Sequence, residues 1–253
     1  MTRPPARRLL VGASALCLAG LPVLTACSAG ATAPPTARRS PAASPSPSAA
    51  ALTTAQAEAA LVTAADLGEP WEPTQGAATW RDTLLKAKAD PPDCGRLLDA
   101  VYTEEVFGPE TAVHAVAGLD DAMDQAQLRY QVLAHDPADV DRTLAWLRSL
   151  PGRCGQFTAA SAGGAVQGAR VADAALPAVG DAREGLRITL AGESADGEPT
   201  TLTVDLAAVR VGDDVIVLTN GGLGNVSADV TAAVVQLGAQ RLTDVRRQAR
   251  LEV

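Results

Sequence analysis

The first 26 residues restrict the fold more than any other feature, because their composition predicts a cleaved secretory signal and not part of the folded domain. Three arginines among the first eight residues precede an apolar run over residues 9–24, and Thr25 and Ala26 end it with small side chains. A basic start, an apolar middle and a small-residue cleavage site are typical of such signals. The run is too short for a membrane span, which needs roughly 20 apolar residues. We therefore expect the remaining chain to fold outside the cytoplasm.

A cysteine follows this segment directly, in the order Leu24-Thr25-Ala26-Cys27. With this cysteine, the segment resembles the signal of bacterial lipoproteins. The resemblance implies that residues 1–26 are cleaved and that Cys27 becomes a first residue whose thiol carries a diacylglyceryl group. Because two acyl chains anchor a protein durably, we expect the chain at the outer face of the cytoplasmic membrane, in contact with the membrane through this lipid. An ordinary signal peptide with a coincidental cysteine is the alternative.

The segment after Cys27 differs in composition from the rest of the chain. Residues 28–50 consist mainly of Ala, Pro, Ser and Thr. Such a segment cannot bury enough apolar surface to offset its ordering entropy, so residues 27–50 are predicted to form a lipidated, disordered linker. Residues 51–253 are predicted to form one domain, which is large enough for a single core.

The charge of the predicted domain excludes one class of partner. The chain has 21 Lys and Arg against 29 Asp and Glu, but five of the arginines and none of the acids lie in residues 1–50. The rest therefore carries 16 positive and 29 negative side chains, a net charge of −13. Nucleic-acid binding needs clustered Lys and Arg, so we expect no nucleic-acid partner. Two lysines against 19 arginines also indicate a GC-rich genome, such as that of an actinobacterium.

Two cysteines remain for the folded domain once Cys17 leaves with the signal and Cys27 is lipidated. These are Cys94 and Cys154, and an even pair in an oxidising compartment predicts a disulfide. Closing a loop of about 61 residues stabilises a fold by roughly 4 kcal/mol in the chain-entropy model. A metal site or a reactive thiol is the alternative, although two cysteines without a nearby histidine pair make a poor zinc site.

Local patterns predict an α+β domain with an antiparallel β-sheet flanked by helices. Thr53 and Gln56 match a capping box, and Asp136 followed by Pro137 marks another helix start. The predicted helices cover residues 54–62, 94–101, 137–150 and 228–247, with a brief turn over residues 63–67. Pro151-Gly152 is predicted to end the third helix just before Cys154. Alternating polar and apolar residues predict strands over residues 111–118, 125–134, 155–160, 167–172, 184–191, 199–209 and 214–219. Short strands linked by hairpins favour antiparallel pairing.

In this order the elements resemble the extracellular sensor domains of the mycobacterial serine/threonine protein kinase H family and their free-standing lipoprotein relatives. The resemblance covers about residues 51–250 and depends on Trp71 after a Leu-Thr-Ala-Ala-Asp-Leu-Gly-like turn, on Trp146 eight residues before Cys154, and on the segment 209–215 before a long terminal helix. It implies an antiparallel sheet flanked by helices with a ligand cleft. The family commonly has a second disulfide in its later half, whereas this chain has no cysteine after Cys154. The resemblance therefore does not predict the rigidity or the shape of the cleft.

The sequence has no catalytic signature, and no catalytic residue, metal or cofactor is predicted. Nucleophilic catalysis needs an activated Ser or Cys beside a base, but no Gly-x-Ser-x-Gly motif accompanies His114 or His135. Both histidines are more simply strand residues. The acidic pairs near turns are interpreted as solvated turn residues and not as acid/base pairs or a calcium site. These pairs are Glu104-Glu105, Asp120-Asp121 and Asp213-Asp214.

Two further segments have both a structural and a functional interpretation. Gly221-Gly222-Leu223-Gly224 follows a strand and precedes a helix, as a dinucleotide-binding loop does, but Ser227 stands where the third glycine is needed. We interpret the segment as a flexible linker into the helix. The apolar residues of the first hairpin are interpreted as core and not as a lipid pocket; they are Val113, Leu128, Tyr130 and Val132.

Three functions are compatible with the sequence. The first is a non-enzymatic, membrane-anchored, sensor-like domain that binds an unknown small ligand or cell-wall component. The second is a protein-interaction lipoprotein that docks on an envelope partner, and the third is a hydrolase. A concave pocket with convergent polar groups favours the first, and a flat exposed apolar patch favours the second. A histidine bonded to a carboxylate beside an accessible serine favours the third.

Replacing Cys27 tests the anchor. The Cys27→Ser variant is expected to appear in the culture medium, because the acyl chains alone hold the chain to the membrane. Immunoblots of the medium and of washed membranes measure this release. The Cys17→Ser variant is the matched control and should stay with the membranes. Retention of Cys27→Ser on washed membranes contradicts the prediction.

Overall fold

The computed structural model describes residues 51–109, 112–121, 123, 125–193 and 197–251. The predicted signal, the lipidation of Cys27 and the predicted linker lie outside the described residues. The helical elements are α1 (Thr54–Ala59), α2 (Ala64–Leu67), a π-helical turn (Arg81–Leu85), α3 (Pro92–Thr103), α4 (Pro137–Arg153) and α5 (Ala228–Ala249). The strands are β1 (Trp71–Pro73), β2 (Ala87–Ala89), β3 (Ala112–Asp121), β4 (Ala126–Ala134), β5 (Phe157–Ser161), β6 (Val166–Asp173), β7 (Ala182–Glu193), β8 (Pro199–Val211) and β9 (Asp214–Leu223).

The described strands form one antiparallel sheet in the order β1-β3-β4-β9-β8-β7-β6-β5-β2. From β5 to β9, each strand pairs with the next along the chain. The last of them, β9, then pairs with β4 along its length, from Ala126–Gly222 to Ala134–Asp214. This long-range pairing joins the β3–β4 hairpin to the rest of the sheet. The predicted α+β fold with an antiparallel sheet flanked by helices is confirmed.

The central strand β8 is buried on both of its faces. Leu206 and Ala208 lie in a core that contains residues of α3 and α4, whereas Ala207 and Val209 lie in a second core that contains residues of α1 and α5. Successive side chains of a strand point to opposite faces, so a strand covered on both faces is largely apolar. The sheet therefore has one helical layer on each face.

Two helices begin where the sequence predicts. Thr53 and Gln56 form the capping box of α1. At the start of α4, the carboxylate of Asp136 accepts a hydrogen bond from the backbone N–H of Ala138. These bonds satisfy N–H groups that have no partner within the helix.

As predicted, α4 ends just before Cys154, although Pro151 and Gly152 lie within its last turn, which continues to Arg153. A proline removes one backbone N–H and therefore one hydrogen bond of the helix. The N–H of Cys154 still donates to the carbonyl of Leu150 at 2.7 Å. This last turn positions Cys154 for its disulfide.

Sequence patterns miss β1, β2 and the π-helical turn. Strands of three residues are too short to show alternation, and both lie at an edge of the sheet, where β1 pairs with β3 and β2 pairs with β5. Trp80, directly before the π-helical turn, packs over Gly221, where an added Cβ would lie 2.7 Å from the indole ring. The prediction of a flexible linker is therefore wrong for Gly221 and Gly222, which belong to β9 and are buried.

A buried polar cluster attaches the first half of α5 to the sheet. The carboxylate of Asp205, which is 1% exposed, accepts hydrogen bonds from Arg187 Nε at 2.6 Å and from Arg187 Nη2 at 2.8 Å. The hydroxyl of Thr231 on α5 donates to the same carboxylate at 3.0 Å and accepts a bond from Asn220 Nδ2 at 3.1 Å. Because the buried charge is paired and hydrogen-bonded, this cluster fixes the position of α5.

The disulfide between Cys94 and Cys154 is present and joins the start of α3 to the end of α4. Both cysteines are fully buried. Beside the bridge, Arg153 Nη1 lies 2.5 Å from Asp93 Oδ2, and the indole N–H of Trp146 donates to Asp93 Oδ1 at 3.1 Å. The predicted pairing is confirmed, and these polar contacts join the same two helices.

Reduction of this disulfide is expected to lower the melting temperature by roughly 10 °C. The bridge closes a loop with a sequence separation of 60, which is worth about 4 kcal/mol in the chain-entropy model. In a domain of this size each kcal/mol corresponds to roughly 2–4 °C. Differential scanning calorimetry with and without reductant measures the change, and the Cys94→Ala/Cys154→Ala variant is the control that reductant should leave unchanged. An equal melting temperature for oxidised and reduced protein contradicts the prediction.

Candidate ligand-binding site

Neither histidine forms a nucleophile–base pair among the described residues. His114 lies where the register of β3 and β4 shifts between Val113 and Ala115, and its Nε2 is buried without a hydrogen-bond partner. His135 follows β4 and meets the ring of Phe107 edge-on, with 5.9 Å between the ring centroids. Neither imidazole is hydrogen-bonded to a serine hydroxyl or to a carboxylate in the described part of the chain. The arrangement that would favour a hydrolase is therefore not formed there.

The interpretation of the acidic pairs as solvated turn residues is wrong for several of their members. Asp214 is 2% exposed and pairs with the buried Arg246, whose Nη2 also lies 3.3 Å from Asp213 Oδ2. Burial raises the pKa of Asp214, and the Arg246 guanidinium acts in the opposite sense. This ion pair attaches the last turns of α5 to the start of β9. Asp121 is also buried.

The helical layer on the α3–α4 face ends abruptly between β3 and β4. Val116, Gln131 and Val217 lie side by side on β3, β4 and β9 and point to this face. Val116 is 45% exposed, whereas Gln131 is 7% exposed and Val217 is 3% exposed. The cover therefore extends over β9 and β4 and leaves β3 open to solvent. We call this boundary the sheet step and define it by Val116, Gly118, Arg129 and Gln131.

An arginine–glutamate–arginine cluster lies at the covered side of the sheet step. Glu104 follows α3 in a left-handed conformation with φ 63° and ψ 24°. Its carboxylate accepts hydrogen bonds from Arg129 Nε at 3.1 Å to both oxygens and from Arg129 Nη2 at 3.0 Å. Arg81 Nη2 lies 3.0 Å from the same carboxylate and donates to the carbonyl of Tyr102 at 2.7 Å. The cluster thus fixes the end of α3 and the π-helical turn over β4.

One carboxylate is shared by two guanidinium groups, so the cluster carries an excess positive charge. Burial and the nearby charge of Arg129 lower the pKa of Arg81, whereas Glu104 raises it. An arginine stays protonated in spite of such shifts. Two further charges lie close by and offset each other: the Tyr102 hydroxyl donates to Asp82 Oδ1 at 2.8 Å, and the Lys86 ammonium lies 5.2 Å from the Tyr102 ring.

Two donor groups at the sheet step have no hydrogen-bond partner among the described residues. Glu104 occupies Nε and Nη2 of Arg129 and leaves its Nη1 free. This nitrogen lies over Gly118, where an added Cβ would come within 2.5 Å of it. The side-chain amide of Gln131 forms no hydrogen bond, and its Oε1 is fully buried. Buried polar groups are nearly always bonded in folded proteins, so this amide indicates a missing partner.

Other grooves lie elsewhere on the described residues, and two of them contain buried or stacked arginines. One has a volume of about 430 Å³ between α3 and α4 and contains Arg96, whose guanidinium lies 4.0 Å from the centroid of the Trp146 ring. The other, of about 380 Å³, lies beside the last turns of α5 and contains Arg246 and Asp181. The guanidinium of Arg246 is already paired with carboxylates, and Asp181 accepts the backbone N–H of Gly212 at 2.6 Å. In the second groove, Arg246 Nε is buried without a hydrogen-bond partner among the described residues.

Comparison with known proteins finds a similarity to solved structures only. No family model matches the chain, and no curated protein matches its sequence. The structure is similar to the extracellular domain of PknH from Mycobacterium tuberculosis, with 15% identity and a TM-score of 0.45. The alignment covers 79% of this chain and 99% of that domain. The similarity is one of fold, and no residue role is transferred from it.

No helix among the described residues has the length and apolar character that a membrane crossing requires. No group of three or more His, Cys, Asp and Glu side chains lies close enough together there to hold a metal ion.

Glu104→Gln is expected to destabilise the fold by about 2 kcal/mol, because it leaves two partly buried guanidinium groups without a counter-charge. Urea unfolding measures this loss as a lower free energy of unfolding. Glu105→Gln is the matched control, since Glu105 is the exposed neighbour and its change should stay within about 0.5 kcal/mol. Equal losses for the two variants would show that the cluster does not hold the end of α3.

Proposed function

We propose that this protein is a non-enzymatic, sensor-like domain that binds a small ligand or a cell-wall component at the sheet step. In this proposal the domain is extracytoplasmic and is held at the outer face of the cytoplasmic membrane by a lipid on Cys27. The N-terminal sequence supports the location, since residues 1–27 have the order of a lipoprotein signal. The polar groups of the sheet step support the binding site.

The observation that carries the proposal is the unsatisfied amide of Gln131. This side chain is 93% removed from solvent, yet neither its oxygen nor its nitrogen is hydrogen-bonded within the described residues. Leaving such a group without a partner costs about 1–3 kcal/mol. The nearest open surface is Val116 on the adjacent strand, which is exposed on the same face. A ligand that enters over Val116 reaches both Gln131 and Arg129.

The alternative function, docking on an envelope partner without a small ligand, would need a contiguous apolar surface. Among the described residues, the exposed large apolar side chains belong to separate parts of the chain; they are Val116, Met123, Val166, Leu223 and Leu251. Single exposed apolar residues are ordinary on protein surfaces. The sheet step, with its unpaired donors, therefore supports ligand binding better than docking.

Native mass spectrometry of the full-length chain, purified from the membranes of its own host, tests the proposal. A co-purifying small molecule is expected, and Arg129→Gln or Gln131→Leu should lower its occupancy at least tenfold, since each removes one or more hydrogen bonds to the ligand. Arg142→Gln is the matched control, because Arg142 is an exposed arginine on α4 that lies in the other groove.

Two results contradict the proposed site. A ligand that is lost in Arg142→Gln but retained in Arg129→Gln and Gln131→Leu belongs to the groove between α3 and α4. A chain that carries no small molecule but co-purifies with an envelope protein supports the docking function instead.

A further inference from the structure

We infer that the ligand of the sheet step is an organic anion whose charged group is bound by Arg129 Nη1 and Gln131 Nε2, with an apolar part over Val116. This inference rests on the proposed function and adds the chemical class of the ligand. It depends on three observations: the charge of the cluster, the positions of the free donors, and the exposed apolar side chain beside them.

The charge of the cluster favours an anion. Within the described parts of the chain, Glu104 is the single carboxylate bonded to both Arg81 and Arg129. The next carboxylate along the face, Asp120, is occupied by other donors: its Oδ1 accepts from Gln127 Nε2 at 2.8 Å and its Oδ2 accepts from the backbone N–H of Gln75 at 3.1 Å. An anion bound beside Arg129 would complete the neutralisation of two guanidinium groups in a partly desolvated place, where charge-assisted hydrogen bonds are strong.

Two free groups at the sheet step are donors, and one buried atom, Gln131 Oε1, is an acceptor without a partner. Arg129 Nη1 carries two N–H groups, and the described residues offer it no acceptor. The second donor is Gln131 Nε2, which forms no hydrogen bond among the described residues, whereas Oε1 of the same amide is buried. Arg129 and Gln131 are two residues apart on β4 and point to the same face, at a spacing of about 6–7 Å. A carboxylate or phosphate group is large enough to accept from both.

Gly118 makes this arrangement possible. It lies opposite Arg129 on β3, and a Cβ at this position would come within 2.5 Å of both Arg129 Nη1 and Thr74 Cγ2. A side chain there would displace the guanidinium from its place. The absence of a Cβ therefore leaves room for Nη1 over Gly118, which lies two residues after the exposed Val116 on β3.

A titration of the full-length chain with butyrate, butyramide and inorganic phosphate at constant ionic strength tests the inference. Butyrate has the proposed anion and apolar part, butyramide is its neutral isostere, and phosphate is an anion without an apolar part. Nuclear magnetic resonance reports binding through the backbone amide shifts of Val116 and Gln131. For a fragment of this size we expect a dissociation constant for butyrate on the order of 1–10 mM and at least tenfold weaker binding of butyramide.

Two variants assign the effect to these side chains. Arg129→Gln should weaken butyrate binding at least tenfold. Gln131→Leu should weaken it severalfold while the chain stays folded, because Gln131 has no side-chain hydrogen bond to lose. Arg142→Gln, which changes an exposed arginine elsewhere, should bind butyrate as the unchanged protein does.

Each other outcome overturns a defined part of the account. If butyramide binds at the sheet step as tightly as butyrate, the claim that the ligand is an anion is wrong, but the location of the binding site stands. If phosphate binds more tightly than butyrate, the claim that the ligand has an apolar organic part is wrong, and the result indicates a phosphate-bearing ligand. If neither butyrate nor phosphate, at concentrations up to about 100 mM, shifts the amide signals of Val116 and Gln131, the inference is wrong. If the Arg129→Gln variant retains the natural ligand, the proposed site itself is wrong.

Discussion

Burial of β8 and β9 on both faces is the constraint on which the rest of the structure depends. Such strands need a helical layer on each side, and α1 and α5 supply one layer while α3 and α4 supply the other. The second layer ends over β4 and leaves β3 open, as the exposures of Val116 and Gln131 show. The sheet step is therefore a consequence of how far the cover extends across a sheet that is wider than the two helices.

The polar groups at this boundary hold the helical layer of α3 and α4 in place and also lie beside the solvent-exposed strand β3. Glu104 ends α3 and ties it to Arg129 on β4 and to Arg81 on the π-helical turn. Burying two guanidinium groups beside one carboxylate is costly unless a second negative charge balances the remaining positive charge. The same contacts that fix the end of α3 thus leave Arg129 Nη1 and the Gln131 amide available to a ligand.

Local signals in the sequence predict much of the fold and little of the site. The capping box at Thr53, the Asp136-Pro137 helix start and the alternation over β4 depend on neighbours within a few residues, so these elements are predictable. The pairing of Glu104 with Arg129 is a contact between residues 25 apart and needs a left-handed residue after α3. Nothing local marks Glu104 as different from Glu105, and the burial of Asp214 depends likewise on Arg246, 32 residues away.

A high-resolution crystal structure of the full-length chain, purified from its own host, tests the central claim most directly. The account predicts electron density of a bound molecule with acceptor atoms about 3 Å from both Arg129 Nη1 and Gln131 Nε2. A structure in which protein carbonyls cap Arg129 Nη1, and in which the Gln131 amide is bonded within the protein, would contradict it.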